Sequence, residues 1–498
     1  MSGVVLPSPT GGWNAISALT EMPITDAIVL DNIIPQATEC RSRDGYVKHT
    51  TPALTGAQTL VSYNASTPKL LLAANGNIYD VTTAGAGSDL TGAIGAFTNN
   101  KWHTNGYKDK LIFCNSADTP MEFDGTTVAI LATLSGPTVT ELAGSVTYKG
   151  RVYYWEKPAG SNPQSFWYAG AGAYTGAITE FPLTEFTKGG YVVSCLTWTR
   201  DGGAGPDDYF VVLMSTGEVL VYSGSDPGSD FALVGIYTIG EPISGNYPTI
   251  SLGGDVIILT KDGYLVLSAA VQDGRYSENS HYSLKISPAA SDAAQTWGDN
   301  FGWEATLYTG GSLFIVNVPI SATESVQHVR NTTTGAWTKF TGIDATSFAA
   351  HDGNLYFAAT DGYVYRYGGG SDDGGFIDMR GTQAYSYMGD TGIKKQVTAI
   401  EVQSNYQYPK YLHSEFWADY NEEDLPAIVD PPEPEPSDWD VGEWDVAQWG
   451  GGALGTVTER RNAEGFGYAL SHTLRLRSRA QRFIWYAAHI YVKQAGVV

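Results

Sequence analysis

Long hydrophobic runs are missing from this 498-residue chain, and their absence argues against two readings at once. A membrane span needs about 20 consecutive apolar residues, and a secretory signal needs a basic start followed by about 7 to 15. Met1 to Thr10 carries no Lys or Arg, and Glu21, Asp26 and Asp31 interrupt the first apolar block. The expectation is a protein with neither span nor export signal, made and assembled in a reducing cytosol. Cysteine is scarce too. Cys40, Cys114 and Cys195 lie far apart, odd in number and without CxxC spacing, so they are expected to pack as small buried groups rather than to form disulfides or a zinc site. Charge is also sparse, at 16% Asp, Glu, Lys and Arg, and the basic sign is the rarer: 29 Lys and Arg against 52 Asp and Glu give a net charge of -23. Such a chain is not built for tight non-specific grip on nucleic acid.

Catalytic signatures are absent as well. The eight histidines form no HExxH or paired cluster, and there is no GxSxG elbow, phosphate-binding loop or dinucleotide fingerprint. A glycosidase needs only two carboxylates about 5 to 10 Å apart, but among 52 acidic residues no pair stands out. The glycine-rich acidic stretches "TRDGGAGPDD" (199 to 208) and "SDDGG" (371 to 375) lack the alternating ligand spacing of a calcium loop and read as solvated turns. The sequence therefore names no catalytic residue, no cofactor and no metal ligand, and the expectation is a protein that is not an enzyme.

What the chain has in abundance is 58 Gly, 31 Tyr and 13 Trp, distributed over short Val-, Ile-, Leu- and Tyr-rich runs. That is an all-β composition. "KLLLAANGNIYDV" (69 to 81), "KLIFCNSADTPMEFDG" (110 to 125), "YFVVLMSTGEVLVYSG" (209 to 224), "DVIILTKDGYLVLSA" (255 to 269) and "GNLYFAATDGYVYRYG" (353 to 368) each read as strand, tight turn, strand. Asn75-Gly76, Asp262-Gly263 and Asp361-Gly362 supply the dipeptides that primed hairpin turns favour. Hairpins recur roughly every 40 to 60 residues, the period of four-stranded propeller blades. A β-propeller of six or seven blades with insertions is thus expected over 47 to 385, with 170 to 200 and 271 to 305 as insertions or outer strands. "NTTTGAWTKF" (331 to 340) resembles the Asp-box turn of sialidase blades, a structural turn that implies no catalysis.

After "GGGSDDGG" the character changes, and 386 to 498 reads as a separate β-sandwich-like domain. It contains an acidic, Pro- and Trp-rich loop at about 422 to 453. From Tyr411 to Glu459 there are thirteen carboxylates and no Lys or Arg, followed by Arg460, Arg461, Arg475, Arg477, Arg479, Arg482 and Lys493; the opposed signs suggest pairing within the domain or between subunits. Trp439, Trp444 and Trp449, spaced five apart, suit docking against another subunit or a ligand platform. At the other end, residues 1 to 46 read as an N-terminal arm. Ile24, Ala27, Ile28, Asp31 and Ile34 keep near-helical spacing and predict a short amphipathic helix, too short to stand alone. Trp13, Ile28 and Ile34 are expected to be buried at a subunit or domain boundary. Deleting 1 to 35 is then expected to harm assembly more than propeller folding.

"GGWN", "MPITDAIVLDNIIPQ" and "RSRDGY", then the hairpins, "NTTTGAW", the W-(x)4-W-(x)4-WG run and "LRLRSRAQRFIWYAAHIYV" together resemble, in order along the chain, the tail nozzle or tail tubular proteins of short-tailed bacteriophages. That resemblance implies a virion structural protein with a β-propeller, assembled in the host cytoplasm as a homo-oligomer, a hexameric ring at the tail tip. It further implies a partner adaptor or portal-proximal tail protein above, room for tail fibres or spikes, and duplex DNA passing through a shared lumen without tight binding. An acidic wall would suit such a conduit through like-charge repulsion screened over about 10 Å. Two other classes remain open: a receptor- or glycan-binding propeller using the Trp run, and a secreted propeller hydrolase.

Overall fold

Seven successive groups of strands fold as up-and-down meanders, because each β-branched or aromatic run is cut after a few residues by Gly, Asn or Asp. The computed structural model describes every residue except Met1, 66, 95, 202–205, 244, 246, 274–279, 407–410, 423–424, 431–456, 480–481 and 496–498. It divides into two units: Lys48–Gln327 with Ile343–Arg366, and Met1–Val47 with His328–Gly342 and Tyr367–Val498. Among the described residues no helix is long and apolar enough to cross a membrane.

The first unit is the propeller. Blade 1 runs Thr59–Tyr63, Lys69–Ala74, Asn77–Asp80, Ser88–Asp89; blade 2 His103–Tyr107, Lys110–Cys114, Met121–Phe123, Val128–Ile130; blade 3 Leu142–Tyr148, Arg151–Glu156, Ser165–Tyr168, Thr179–Pro182. Blade 4 runs Val192–Asp201, Pro206–Met214, Glu218–Ser223, Ala232–Thr238. Blade 5 has three strands, Thr249–Leu252, Asp255–Thr260 and Gly263–Val266, followed by the helices Leu267–Asp273 and Ser287–Trp297. Blade 6 begins with Glu304–Tyr308 and Leu313–Pro319, and its third strand, Ser325–Asn331, carries the chain out of this unit. Blade 7 contributes Ala345–His351, Asn354–Ala359 and Val364–Tyr367.

Apolar clusters shared by adjacent blades hold the ring. Leu71 and Ile78 of blade 1 pack with Trp102, Phe113 and Phe123 of blade 2, and Tyr153 and Phe166 of blade 3 with Phe210 and Tyr222 of blade 4. Leu60 and Leu72 of blade 1 join Tyr356, Ala358 and Val364 of blade 7, which closes the circle. A backbone clasp reinforces the closure: His49 and Thr50 N–H both donate to the Val364 carbonyl, at 2.8 and 3.2 Å. Closure leaves no blade to bury its two faces alone. Each fully buried Leu or Phe in these seams contributes about 1.5–3 kcal/mol.

The turn chemistry separates the three expected hairpin dipeptides. Asn75 and Gly76 both take positive φ, +49° and +72°, as a type I′ turn requires. At the other two only the glycine does, Gly263 at +117° and Gly362 at +88°. Of the two anticipated insertions, 271 to 305 holds the helical excursion, whereas 170 to 200 holds the outer strand of blade 3 and the start of the inner strand of blade 4.

The second unit is a β-sandwich, and it corrects the reading of both chain ends. One sheet has the order Trp337–Phe340, Asp26–Asp31, Ile377–Gln383, Leu470–Ser478, His413–Ala418. The other contains Val457–Gly467, Lys394–Ser404, Ile484–Ala495, Cys40–Ser42 and Ile33–Pro35 in that order. Ser2–Pro7 pairs antiparallel with the last long strand, Ser2 opposite Val492 and Pro7 opposite Ala487. The expected N-terminal helix is therefore two strands, Asp26–Asp31 and Ile33–Pro35, separated by Asn32 at φ +58°, a left-handed kink that no helix continues through. Nor is 1 to 46 a separate arm, or 386 to 498 a separate domain. Leu6, Leu30 and Ile33 share one core with Ile400, Leu474, Trp485 and Ile490.

Candidate functional site

A polar contact joins the starts of the inner strands of two blades that are not neighbours. Tyr247 precedes the first strand of blade 5, yet its hydroxyl accepts from Thr104 N–H of blade 2 at 3.0 Å and donates to the Trp102 carbonyl at 3.3 Å. Thr104 Oγ1 lies 2.9 Å from the same hydroxyl. Blades 2 and 5 are three apart in a ring of seven, so a contact between them crosses the axis. The His103 ring stacks on Tyr247 at 5.2 Å between centroids and meets Trp155 edge-on at 4.9 Å. Burial pushes His103 down to about 4 and the Tyr247 phenol upward, so both rings are neutral at pH 7. Together they tie the start of blade 5 to blade 2.

Glu304 lies beside Tyr247, their backbones bridged in parallel. Its Oε2 accepts from Phe348 N–H at 3.1 Å. Burial raises its carboxyl to about 7, and hydrogen bonds from Phe348, Ser347 and Thr306 pull it back only part of the way. A void of about 10 Å³, room for about one water, lies among Glu304, Tyr247, Thr59 and Ser347. At the same end of the ring opens a cleft of about 310 Å³, lined by Lys101, Asp299, Phe301, Glu324 and Thr346 among others.

Two predictions arise here. A carboxyl whose folded pKa exceeds its unfolded value binds its proton more tightly when folded. Its stabilisation is present below the ordinary Glu range and is lost as pH rises through about 7, an amount on the order of 3 kcal/mol. Glu304→Gln should flatten the stability of the propeller between pH 4.5 and 7, read by hydrogen exchange of Glu304–Tyr308 and Ala345–His351 across that range; an unchanged pH dependence would count against the buried carboxyl. Tyr247→Phe removes the hydroxyl that joins non-adjacent blades and should cost about 1–3 kcal/mol, read as faster amide exchange at the start of the blade 2 inner strand.

In the sandwich, Arg43 is 1% exposed and uses every donor it has. Nε donates to Asn32 Oδ1 at 2.8 Å, Nη1 to the Asp44 carbonyl at 3.0 Å and Asp372 Oδ1 at 2.8 Å, and Nη2 to the Thr341 carbonyl at 3.0 Å and Asp372 Oδ2 at 2.6 Å. Asp372 belongs to "SDDGG", so that acidic stretch serves an ion pair. The opposed charges of the C-terminal region also pair within the unit: Arg475 with Glu415 at 2.7 Å, and Arg477 with Asp378 and Asp430, each at 2.6 Å.

Sequence reasoning missed a relay that has the outline of a nucleophile and base. His472 Nε2 is 3.2 Å from Ser414 Oγ, and its Nδ1 is 2.9 Å from Gln383 Oε1. Burial pushes His472 down to about 3, far below the range of a general base at neutral pH, and the rings of Phe416 and Trp485 lie 5.3 and 5.9 Å away. It is a satisfied core histidine.

The expected interface residues are not brought together. Trp13 is half-buried, edge-on to His328 at 5.4 Å. Ile28 is half-buried against a small cluster with Tyr385 and Trp417, while Ile34 is 0% exposed and committed to its own unit. Trp439, Trp444 and Trp449 lie outside the described residues. The three cysteines are free and buried.

Seven meanders closed by a strand-to-strand clasp, with a two-sheet sandwich built from both chain ends, define an all-β protein with a β-propeller. No family model and no curated protein matches the chain. Among solved structures it is similar to BBS1N in complex with ARL6DN (8% identity, 66% of this chain and 97% of that one, TM-score 0.40). It is also similar to YCF48 bound to D1 peptide (8%, 66% and 95%, 0.40) and to Saccharomyces cerevisiae Sqt1 (10%, 65% and 86%, 0.40). At those scores the likenesses carry no argument about what this chain does.

Proposed function

We propose that the chain is a structural subunit of the tail nozzle of a short-tailed bacteriophage, one copy in a ring through which the genome passes. The observation that carries this reading is the insertion topology. Both chain ends build one sandwich, Ser2–Pro7 paired with Ile484–Ala495, and the propeller leaves and rejoins it as an insert. A sandwich pinned by its own ends suits a ring-forming body that displays a propeller, as the nozzle resemblance implies. The contact that Tyr247 makes across the ring with Thr104 and Trp102 favours a DNA path outside the propeller axis. The DNA path then belongs to the lumen shared by neighbouring copies, where a net charge of -23 favours sliding over binding.

The test is the assembly state. The full chain, alone and mixed with adaptor and portal-proximal tail proteins, should form closed rings by electron microscopy, with an acidic lumen at least as wide as duplex DNA, about 20 Å. A chain that stays monomeric in the presence of those proteins sinks the reading.

A further inference from the structure

We propose that the outer strand of blade 4, Ala232–Thr238, is a docking edge for an extended segment of a partner protein, apolar at alternate positions and basic at one end, which adds to the blade as a further strand. This does not depend on the nozzle reading. The strand is the last of its sheet, paired on one side with Glu218–Ser223. Its seven residues, ALVGIYT, contain no charge and no proline, two of the devices that keep an edge from pairing. Blades 1 to 3 carry such guards. Their outer strands are the two residues Ser88–Asp89, the three residues Val128–Ile130, and Thr179–Pro182, which holds Glu180 and ends in proline.

The backbone phase is fixed by one hydrogen bond. Ile239 N–H donates inward to the Gly217 carbonyl at 2.8 Å, so alternation along the ladder turns the N–H and C=O groups of Ile236 and Thr238 toward the open side. Leu233 is held in the apolar seam with blade 3 and Tyr237 in the seam with blade 5, which orders the edge before a partner arrives. The register steps over Val234, and Val234 and Ile236 stand 51% and 42% exposed, branched side chains of the kind that cross-strand pairs use. Area and charge choose the occupant. Seven residues extend about 24 Å, and with a sheet thickness of about 10 Å the edge offers roughly 250 Å², against about 800 Å² per partner in a stable interface. That is the scale of a peptide rather than of a second copy, and two copies would also each bring a net charge of -23. Asp230, exposed at the head of the strand, accepts from Ser225 and Asp226 N–H and offers its charge to a basic residue. Every pairing within the blade is antiparallel, and the same sense places that basic residue at the C-terminal end of the incoming segment. Main-chain bonds then supply affinity and alternate side chains supply selectivity.

The probe is the peptide TVTVTVTRR-amide, fluorescein-labelled at its N-terminus and titrated into the full chain by fluorescence anisotropy. The comparators are TVTVTVTEE-amide and a TVTVTVTRR-amide methylated on alternate backbone nitrogens. The first peptide should bind saturably with a Kd below about 1 mM and slow amide exchange at Ile236 and Thr238, while the methylated one should bind about tenfold more weakly or not at all. Ile236→Pro removes an outward donor at an edge, where proline is tolerated, and should weaken binding about tenfold. Val234→Ser with Ile236→Ser should weaken it about three- to tenfold. Asp230→Asn keeps an acceptor for Ser225 and should narrow the gap between the basic and acidic peptides. If Ile236→Pro misfolds blade 4, the methylated peptide makes the same comparison from the side of the ligand. No saturable binding of the basic peptide, or equal binding to a folded Ile236→Pro chain, overturns the proposal. A dimer of the full chain that Ile236→Pro abolishes also overturns it, by assigning the edge to a second copy.

Discussion

Arg43→Met is expected to destabilise the sandwich by about 3–5 kcal/mol, the largest effect of any single substitution considered for this chain. The guanidinium is buried and bidentate to Asp372, and its remaining donors tie the 32, 44 and 341 positions together. Methionine matches the stem but leaves Asp372 buried without its counter-charge and takes the Arg43 donors from the Asp44 and Thr341 carbonyls, while Asn32 Oδ1 keeps the Thr341 N–H. Burial already pushes the Asp372 carboxyl up, and Arg43 holds it down. In the variant that restraint is gone, so Asp372 takes up a proton and the destabilisation shrinks as the pH falls. Arg43→Lys should rescue little, since an ammonium has three donors and no fork to match a carboxylate. Asp372→Asn in the Arg43→Met background should recover part of the loss, though not the contacts to Asn32 and Thr341. Because two units unfold, a single global transition is a poor readout. Hydrogen exchange of Ile377–Gln383 and Leu470–Ser478, compared with the propeller strands, isolates the effect. Unchanged protection in those two strands would show that the clamp carries little.

The fate of individual readings shows what a linear sequence makes legible. Hairpins were readable because strand, turn and strand are local, and Asn75-Gly76 shows the dipeptide rule at work. The N-terminal helix was a misreading with a definite cause. Over the few residues from Ile24 to Ile34, apolar positions fit a period of 3.6 by chance, and a continuous apolar stretch in a buried strand shows no alternation to contradict it. Tertiary pairing decided the outcome: Leu30 and Asp31 lie opposite Gly381 and Arg380 of a strand some 350 residues later. The same distance hides the sites. Tyr247 meets Thr104 across 143 positions and Arg43 meets Asp372 across 329, and nothing in either local sequence marks its partner. The acidic and basic halves of the C-terminal region were legible as opposed charges, and Arg475 and Arg477 pair with the 413–430 segment.

Deleting residues 1 to 35 is expected to abolish folding of the sandwich outright, a stronger outcome than the assembly defect an N-terminal arm would give. The deletion removes the strands Ser2–Pro7, Asp26–Asp31 and Ile33–Pro35. It takes Leu6, Ala27, Leu30, Ile33 and Ile34, each at most 2% exposed, out of the protein. Their burial amounts to roughly 7–13 kcal/mol, comparable to the entire stability of an ordinary domain. The strand Ile484–Ala495 would also lose its pairing with Ser2–Pro7, exposing a long apolar edge prone to aggregation. The propeller should survive, since its clasp at His49 and Thr50 lies beyond the deletion. Hydrogen exchange should therefore show protected strands in blades 1 to 5 and none in 394–404 or 484–495; a protected sandwich in the truncated chain would refute this account. It follows that loss of ring assembly on truncation says nothing about an N-terminal docking arm. Trp13→Ala is the variant that does, because Trp13 is half-buried at the surface of the sandwich and its removal leaves the five core side chains in place. Rings lost with the sandwich still protected would assign Trp13 to the subunit interface, and rings retained would assign it to packing within its own chain.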